Sequence, residues 1–381
     1  MPHTSPDDRG LTPPPLDRLV ELTRDLVSIQ STRHLPQERA RAFAFLRNHL
    51  EAVEGLALRE VESGGIGSLV ALPHGIAVPD VLMLGHVDVI DHPDPAVYQS
   101  SVSGGRIYGP GSGDMKGQVA IMLQLLCDLQ RRRPGLSVGL AITSDEERGG
   151  EHGARFLFDE LGLRCGLALV PDGGSLTDVT VSEKGILHVR LHAVGKASHA
   201  ARPWLVPNAL VRVSRAIVAV HDHFERMRPD DLAADDHWYP TCSPTICRTA
   251  NDTINCIPAD ASAHLDIRFP PPHTVAGMLS EVRRSAGVDV EVDVAMSAEP
   301  THLAPDAEYL RITEWITGEP TRLVRASGGS DARFIAQHGT PVILSRPLVG
   351  NLHGTDEWID IASMGLFYRI CEAFILRRAG A

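Results

Sequence analysis

The chain has 381 residues, 43% of them hydrophobic, and a formal net charge of −12. That length allows about two or three domains with a sizeable core. The acidic balance, with no basic block beyond Arg131–Arg133, argues against nucleic acid or an anionic membrane as principal partner. No apolar run approaches the roughly 20 residues that span a bilayer. The six cysteines (127, 165, 242, 247, 256 and 371) lack C-x-x-C spacing, so neither a disulfide framework nor a cysteine zinc site is indicated. The expected compartment is the cytoplasm.

In chain order, MPHTSPDDRGLTPPP reads as a mobile, proline-rich leader over residues 1–15 with no signal-peptide core. LDRLVELTRDLVSI and ERARAFAFLRNHLEAV carry helical periodicity, while SLVALP and VLMLGHVDVI read as strands. KGQVAIMLQLLCDLQRRR is a long helix that Pro134 and Gly135 end. SVGLAITSDEE is then a strand, GARFLFDELG a helix and CGLALVPDGG a strand. Strands apolar on both faces, alternating with helices, predict an α/β fold with a mostly parallel sheet covered on both sides.

After about residue 178 the pattern becomes β-α-β-β-α-β, formed by ILHVRLHAVG, PNALVRVSRAIVAVHDHFERM, SPTICRTA, ADASAHLDIRF, TVAGMLSEVRRSAG and VDVEVDVAMS. This is the order of a ferredoxin-like α+β module. It predicts an insertion over 179–298 between the two parts, 16–178 and 299–381, of the α/β domain. The α/β pattern resumes with RLVRASGGSDARFIAQHG and PVILSRP, and closes on the helix SMGLFYRICEAFILRR.

Acids and histidines gather where the strands end. VLMLGHVDVI carries His86 and Asp88, GPGSGDMKG carries Asp114, and TSDEERGG carries Glu146 and Glu147; ALVPDGG carries Asp172 and NLHGTDEW carries His353. Charges at the ends of buried strands are costly unless paired or metal-bound, and ligands collect at the carboxyl ends of such sheets. Zinc takes nitrogen and oxygen donors, and two ions about 3.5–4 Å apart can clamp both oxygens of a displacement. Asp114, on a glycine loop, suits a bridging carboxylate. His86 and Asp172 complete one ion, and Glu147 and His353 the other. Asp88 is placed to orient the His86 imidazole. Glu146 is then free to take a proton from water and pass it to a leaving amine.

Taken singly, each motif has an ordinary explanation. H-x-D is commonly an inert pair, and E-E after a strand is commonly a solvated helix start. His221 and His223, two apart on a helix, cannot share a face and are expected in solvent. Glu151 and His152 read as helix-start residues. Gly109, Gly111 and Gly113 look like a phosphate loop, but no strand leads straight into them. The ordered conjunction of ligand types outweighs these separate readings.

The series GHVDV, GPGSGDMKG, SDEERGG, VPDGG and NLHGTDEW resembles the zinc-dependent family of acetylornithine deacetylase, succinyl-diaminopimelate desuccinylase, aminoacylase, carboxypeptidase G and several di- and tripeptidases. The resemblance covers nearly the whole chain beyond the leader. It implies His86, Asp114, Glu147, Asp172 and His353 as ligands of two divalent ions, zinc first and cobalt or manganese as alternatives. It implies Glu146 as general base, Asp88 as orienting carboxylate and a cis peptide after Asp114. GKASHAARP resembles the segment whose histidine, here His199, stabilises the oxyanion. Asn255, Arg268, Gly329 and Ser330 fall at positions that contact substrate, including a substrate carboxylate. The inserted domain is implied as a lid and as the contact of a homodimer.

The expected activity is hydrolysis of an amide in a small N-acyl amino acid, with dipeptides second. Aspartate at 172 looks more like the aminopeptidase and dipeptidase members, whereas SGGSDAR looks like the deacylase branch. Two further readings stand beside it. One is a serine hydrolase using Ser330 in a G-x-S-x-A turn with His353; the other is a binding protein that keeps the fold without turnover.

Overall fold

The structure, a computed structural model, describes residues 11–231, 233 and 236–380. It divides into two units. The first takes the chain up to Val181, Leu303–Arg325 and Ser330 onward; the second takes Ser182–His302 and Ala326–Gly329. The sequence boundaries of 179 and 298 fall within a few residues of these. The short return of 326–329 to the second unit follows from the Lys184 N–H, which donates to the Ala326 carbonyl at 3.1 Å.

The first unit is built on a six-stranded sheet in the order Leu56–Ser63, Ile66–Pro73, Val138–Thr143, Val81–His86, Leu167–Leu169, Val342–Ile343. The pairings among the last four strands are parallel, and those of the first two are antiparallel. Every residue of Val81–His86 is buried, and alternate residues serve two cores. Val81 and Met83 pack with the helices Leu16–Val27, Pro36–Glu51, Lys116–Arg132 and Ile361–Arg378. Leu82 and Leu84 pack with Leu157, Phe158 and Ile335 on the other face. The sheet is therefore covered on both sides, as its apolar runs require.

Four local readings differ from expectation. The edge strand Leu56–Ser63 goes beyond the sequence expectations, because only half of LALREVES is apolar and those residues do not alternate strictly; it is joined to its neighbour by the positive-φ pair Gly64–Gly65, which suits a tight hairpin turn. GARFLFDELG, expected as a helix, is helical over 154–160, with its last five residues, Phe156–Glu160, wound as a π-helical turn. Arg164 ends it by donating Nη1–H to the carbonyls of Phe158 at 2.5 Å and Leu163 at 2.7 Å. The strand after Val81 stops at His86. Residues 1–10 of the expected leader lie outside the described residues. Leu11 packs on the core, and Thr12 donates its N–H and hydroxyl to Glu372 at 3.2 and 3.0 Å, so 11–15 belong to the first unit rather than to a mobile leader.

A small sheet in the order Val349–Gly350, Trp358–Asp360, Arg106–Tyr108, Ser101–Ser103 brings the Gly109–Asp114 loop beside residues 351–357. Its two- and three-residue strands carry no periodic signal. The loop turns into the helix Lys116–Arg132 at Gly117, where an added Cβ would lie 2.4 Å from the Ser112 carbonyl oxygen and 2.7 Å from Ile359 Cδ1. Gly117→Ala is expected to cost roughly 1–3 kcal/mol through overpacking, read as a lowered unfolding midpoint. A wild-type midpoint would contradict this packing.

The second unit has the β-α-β-β-α-β order. Its strands Thr241–Arg248, Asp260–Phe269, Gly185–Val194 and Glu291–Ala298 lie side by side in that sequence, all antiparallel. The helices Ala209–Glu225 and Val275–Ala286 cover one face around Val213, Val220, Phe224 and Val282. Asn208 caps the first by accepting N–H groups of Leu210 and Val211, and Thr274 caps the second. His223 is not in solvent as expected: its side chain is 19% exposed and lies 2.7 Å from Glu281 on the neighbouring helix. Helix-on-helix packing overrode the spacing argument.

Candidate metal centre

His86, Asp114, Glu147 and His353 are each placed by a local device. His86 ends its strand fully buried, with Nδ1 3.1 Å from the Asp88 carbonyl oxygen and Nε2 3.2 Å from Asp114 Oδ1. A carbonyl can only accept, so Nδ1 carries the proton and Nε2 is left for a ligand. The Asp88 carboxylate is 3.4 Å from Nδ1, and its two oxygens accept the N–H groups of Glu146 and Glu147 at 3.3 and 3.1 Å. Asp88 thus anchors the Glu146–Glu147 turn as well as facing the imidazole. Asp114 precedes a cis peptide to Met115. His353 sits at positive φ, 64°, with Nε2 3.2 Å from Glu147 and 3.6 Å from Asp114.

Candidate ligand atoms fall into two groups that share Asp114. His86, Asp114 and Asp172 form one, and Asp114, Glu147 and His353 the other; within each, the atoms lie within 4.8 Å of one another. Burial would lower the His86 pKa, but Asp114 and Asp88 outweigh it and hold it well above the usual imidazole range. Asp114 and Glu147 push His353 up to about 10. Burial opposes ionisation of Asp114, yet its contacts with His353 and His86 hold it well below the usual carboxylate range. The pocket therefore favours positive charge at two places on either side of one carboxylate. Imidazole nitrogen and carboxylate oxygen are the donors that fit a divalent cation such as zinc. Glu146 differs: burial, then repulsion from Asp172, raises its pKa well above normal, which moves a carboxylate toward the range of a proton-transfer group.

Sequence reasoning missed three groups here. Glu357 Oε1 accepts the N–H groups of Gly113 and Asp114 at 2.8 and 2.9 Å, while Oε2 accepts that of His353 at 3.3 Å. It ties together the two segments that carry Asp114 and His353, and burial pushes its pKa up to about 7. Its place in the HGTDEW stretch was the available signal. Asp331, 3% exposed, is pushed by burial to about 7. Arg346, just beyond the strand Val342–Ile343, brings Nη1 to 3.7 Å from Asp172; a cation directly after an apolar run is the same signal that revealed His86. Glu357→Ala is expected to weaken zinc affinity by about 10- to 100-fold, the usual cost of losing such a supporting group, in a chain that still folds. Calorimetric zinc titration checks this, and wild-type affinity would remove Glu357 from the site.

Ser330 is buried, and its Oγ accepts the Ala332 N–H at 3.3 Å. His353 faces Asp114 and Glu147 instead, so among the described residues the pair needed for a serine nucleophile is not formed. In the second unit, His199 is exposed and pairs with Cys256 across a short ladder. The neighbouring Asn255 carbonyl accepts the Ala200 N–H at 2.9 Å. His199 Nδ1 accepts the Ala201 N–H at 3.1 Å, which leaves the ring proton on Nε2. Arg268 forks onto Asp266 at 2.7 and 3.1 Å. Gly329 closes the 326–329 return to that unit.

A largely parallel sheet with this donor set at its carboxyl edge, and a glutamate of raised pKa beside it, is the arrangement of a metal-dependent hydrolase of C–N bonds. The chain belongs to Peptidase family M20/M25/M40, whose profile matches residues 82–377. It is 29% identical over 349 residues to a succinyl-diaminopimelate desuccinylase of Alkalilimnicola ehrlichii, covering 86% of this chain and 91% of that one. It is 30% identical to that of Rhodospirillum centenum, covering 75% and 78%. Among solved structures, a metallo-carboxypeptidase of the same family from Sulfolobus solfataricus shares the fold with a TM-score of 0.79 at 15% identity, covering 96% of this chain and all of that one. No helix among the described residues is long and apolar enough to cross a membrane.

Proposed function

We propose that the protein hydrolyses the amide bond of a small N-acyl amino acid, in the manner of a deacetylase or desuccinylase. The observation that carries this reading is the sharing of Asp114 between two ligand groups, with the Glu146 turn anchored beside them. His86, Asp114 and Asp172 would hold one divalent ion, and Asp114, Glu147 and His353 a second; zinc fits best, with cobalt or manganese able to replace it. Such ions supply polarisation of the amide carbonyl and a lowered pKa for an attacking water.

The remaining steps fall to side chains. Glu146 takes the proton from water and returns it to the departing amine, a role supported by its raised pKa. His199, with its proton on Nε2, donates to the oxyanion as the carbonyl becomes tetrahedral. Asn255, Arg268, Gly329 and Ser330 contact the substrate. The second unit serves as lid and as the contact of a homodimer, and the enzyme works in the cytoplasm on a small carboxylate-bearing substrate.

Dipeptide hydrolysis is the second reading, favoured by aspartate rather than glutamate at 172. The test is a panel of N-acetyl and N-succinyl amino acids beside dipeptides, assayed with zinc-loaded protein. Preference for the N-acyl compounds supports the first reading and preference for dipeptides the second. Turnover of neither would overturn both.

A further inference from the structure

Arg346 stands apart from other buried and half-buried cations of the first unit. Lys116 is committed, donating Nζ–H to the Ile29 carbonyl at 2.6 Å. Arg333 is committed too, donating to the carbonyls of Ser330 and Gly149 at 2.8 and 2.9 Å. The Arg346 side chain is only 15% exposed, and its nearest charged neighbour is Asp172 at 3.7 Å, beyond hydrogen-bond length. Its Nε is buried without a hydrogen-bond partner among the described residues. A largely buried guanidinium with an unused donor is costly unless a ligand takes that donor up.

We propose that Arg346 is a specificity-determining residue that binds a carboxylate of the substrate beside the His86–Asp172 side of the centre. The inference rests on the hydrolase reading above and names the chemistry it selects. Two divalent ions would be balanced by the carboxylates of Asp114, Glu147, Asp172 and Glu146, and Arg346 adds a positive charge beside them. A metal on Asp172 also competes with the guanidinium for that carboxylate. An anion brought by the substrate answers both, because the planar fork of arginine presents paired N–H donors matched to a carboxylate. A neutral substrate would leave the guanidinium with only Asp172, at 3.7 Å and shared with a metal, and its Nε without a partner, which is how such a site rejects the wrong compound.

The carboxylate can come from the amino-acid half or from a dicarboxylic acyl half, and two substrate pairs separate these sources. One pair is an N-acetyl amino acid and its C-terminal amide; the other is an N-succinyl and an N-butyryl amino-acid amide. The wild-type enzyme is expected to prefer the charged member of one pair in kcat/KM, by on the order of 10- to 100-fold for a charge-assisted hydrogen bond. In Arg346→Met that preference collapses while bound metal stays at the wild-type count, and the loss falls mainly on KM. Arg346→Lys restores part of it, and keeps the test open if the methionine variant fails to fold.

Persistence of both preferences in Arg346→Met would overturn the proposal. So would loss of one ion with an equal fall for charged and neutral substrates, which would make the guanidinium a support of the metal site. If the wild-type enzyme turns over none of the four compounds, the hydrolase reading fails separately. Calorimetric binding of the N-acetyl and N-succinyl compounds to zinc-loaded protein then decides Arg346: binding that the methionine variant loses sustains the anion site, and equal binding ends it.

Discussion

Glu146→Ala is expected to lower kcat by about 10²- to 10⁴-fold, the usual contribution of a positioned proton-transfer group, while bound metal and the unfolding midpoint stay at wild-type values. The separation follows from the geometry. The turn that carries Glu146 and Glu147 is held through its backbone N–H groups by Asp88, so removing one side chain leaves the turn in place. Neither of the two ligand groups includes Glu146. Its carboxyl is instead set apart by burial and by repulsion from Asp172, which raise its pKa. Metal analysis and steady-state rates on the same preparation check the pair of outcomes. A variant that kept most of its rate would remove Glu146 as the base, and one that lost metal would make it a ligand.

Asp114→Ala is expected to lose both ions, whereas Asp172→Ala and His353→Ala should each keep one. Only Asp114 belongs to both ligand groups, with one oxygen 3.2 Å from His86 Nε2 and the other 3.6 Å from His353 Nε2. Its removal also leaves each imidazole with one carboxylate, His86 with Asp88 and His353 with Glu147, and His86 Nε2, in a residue 1% exposed, loses its partner. An uncompensated polar group there costs about 1–3 kcal/mol, so a fall in stability should accompany the metal loss. Bound metal counted after exhaustive dialysis is the measurement. One ion retained by Asp114→Ala would show that the centre is not bridged through this residue.

Much of the α/β unit was legible because its strands are buried on both faces. Runs such as VLMLGH and SVGLAIT have no other economical reading, and their carboxyl ends pointed to His86, Glu146 and Glu147. The second unit was legible for the opposite reason: strict alternation in ADASAHLDIRF matches its alternating burial, and amphipathic helices lie between such strands. What escaped reading was structure set by contacts distant in sequence. The small sheet that places Asp114 beside His353 uses strands of two or three residues, too short for any period. Glu357 acts through backbone N–H groups, so its place in HGTDEW marks the segment but not the role. Arg346 lies in a proline-bounded loop whose course only the fold defines, and His223 turns inward because a second helix supplies Glu281.

The central claim is that hydrolysis depends on divalent ions held by His86, Asp114, Glu147, Asp172 and His353. It is tested most directly by stripping the protein with a chelator, returning zinc stepwise, and following bound zinc together with the rate on an N-acyl amino acid. The account predicts no rate in the stripped protein and a rate that returns as zinc binds, with saturation at two ions per chain and no recovery in His86→Ala. Activity that survives stripping, or that returns equally in His86→Ala, would contradict it.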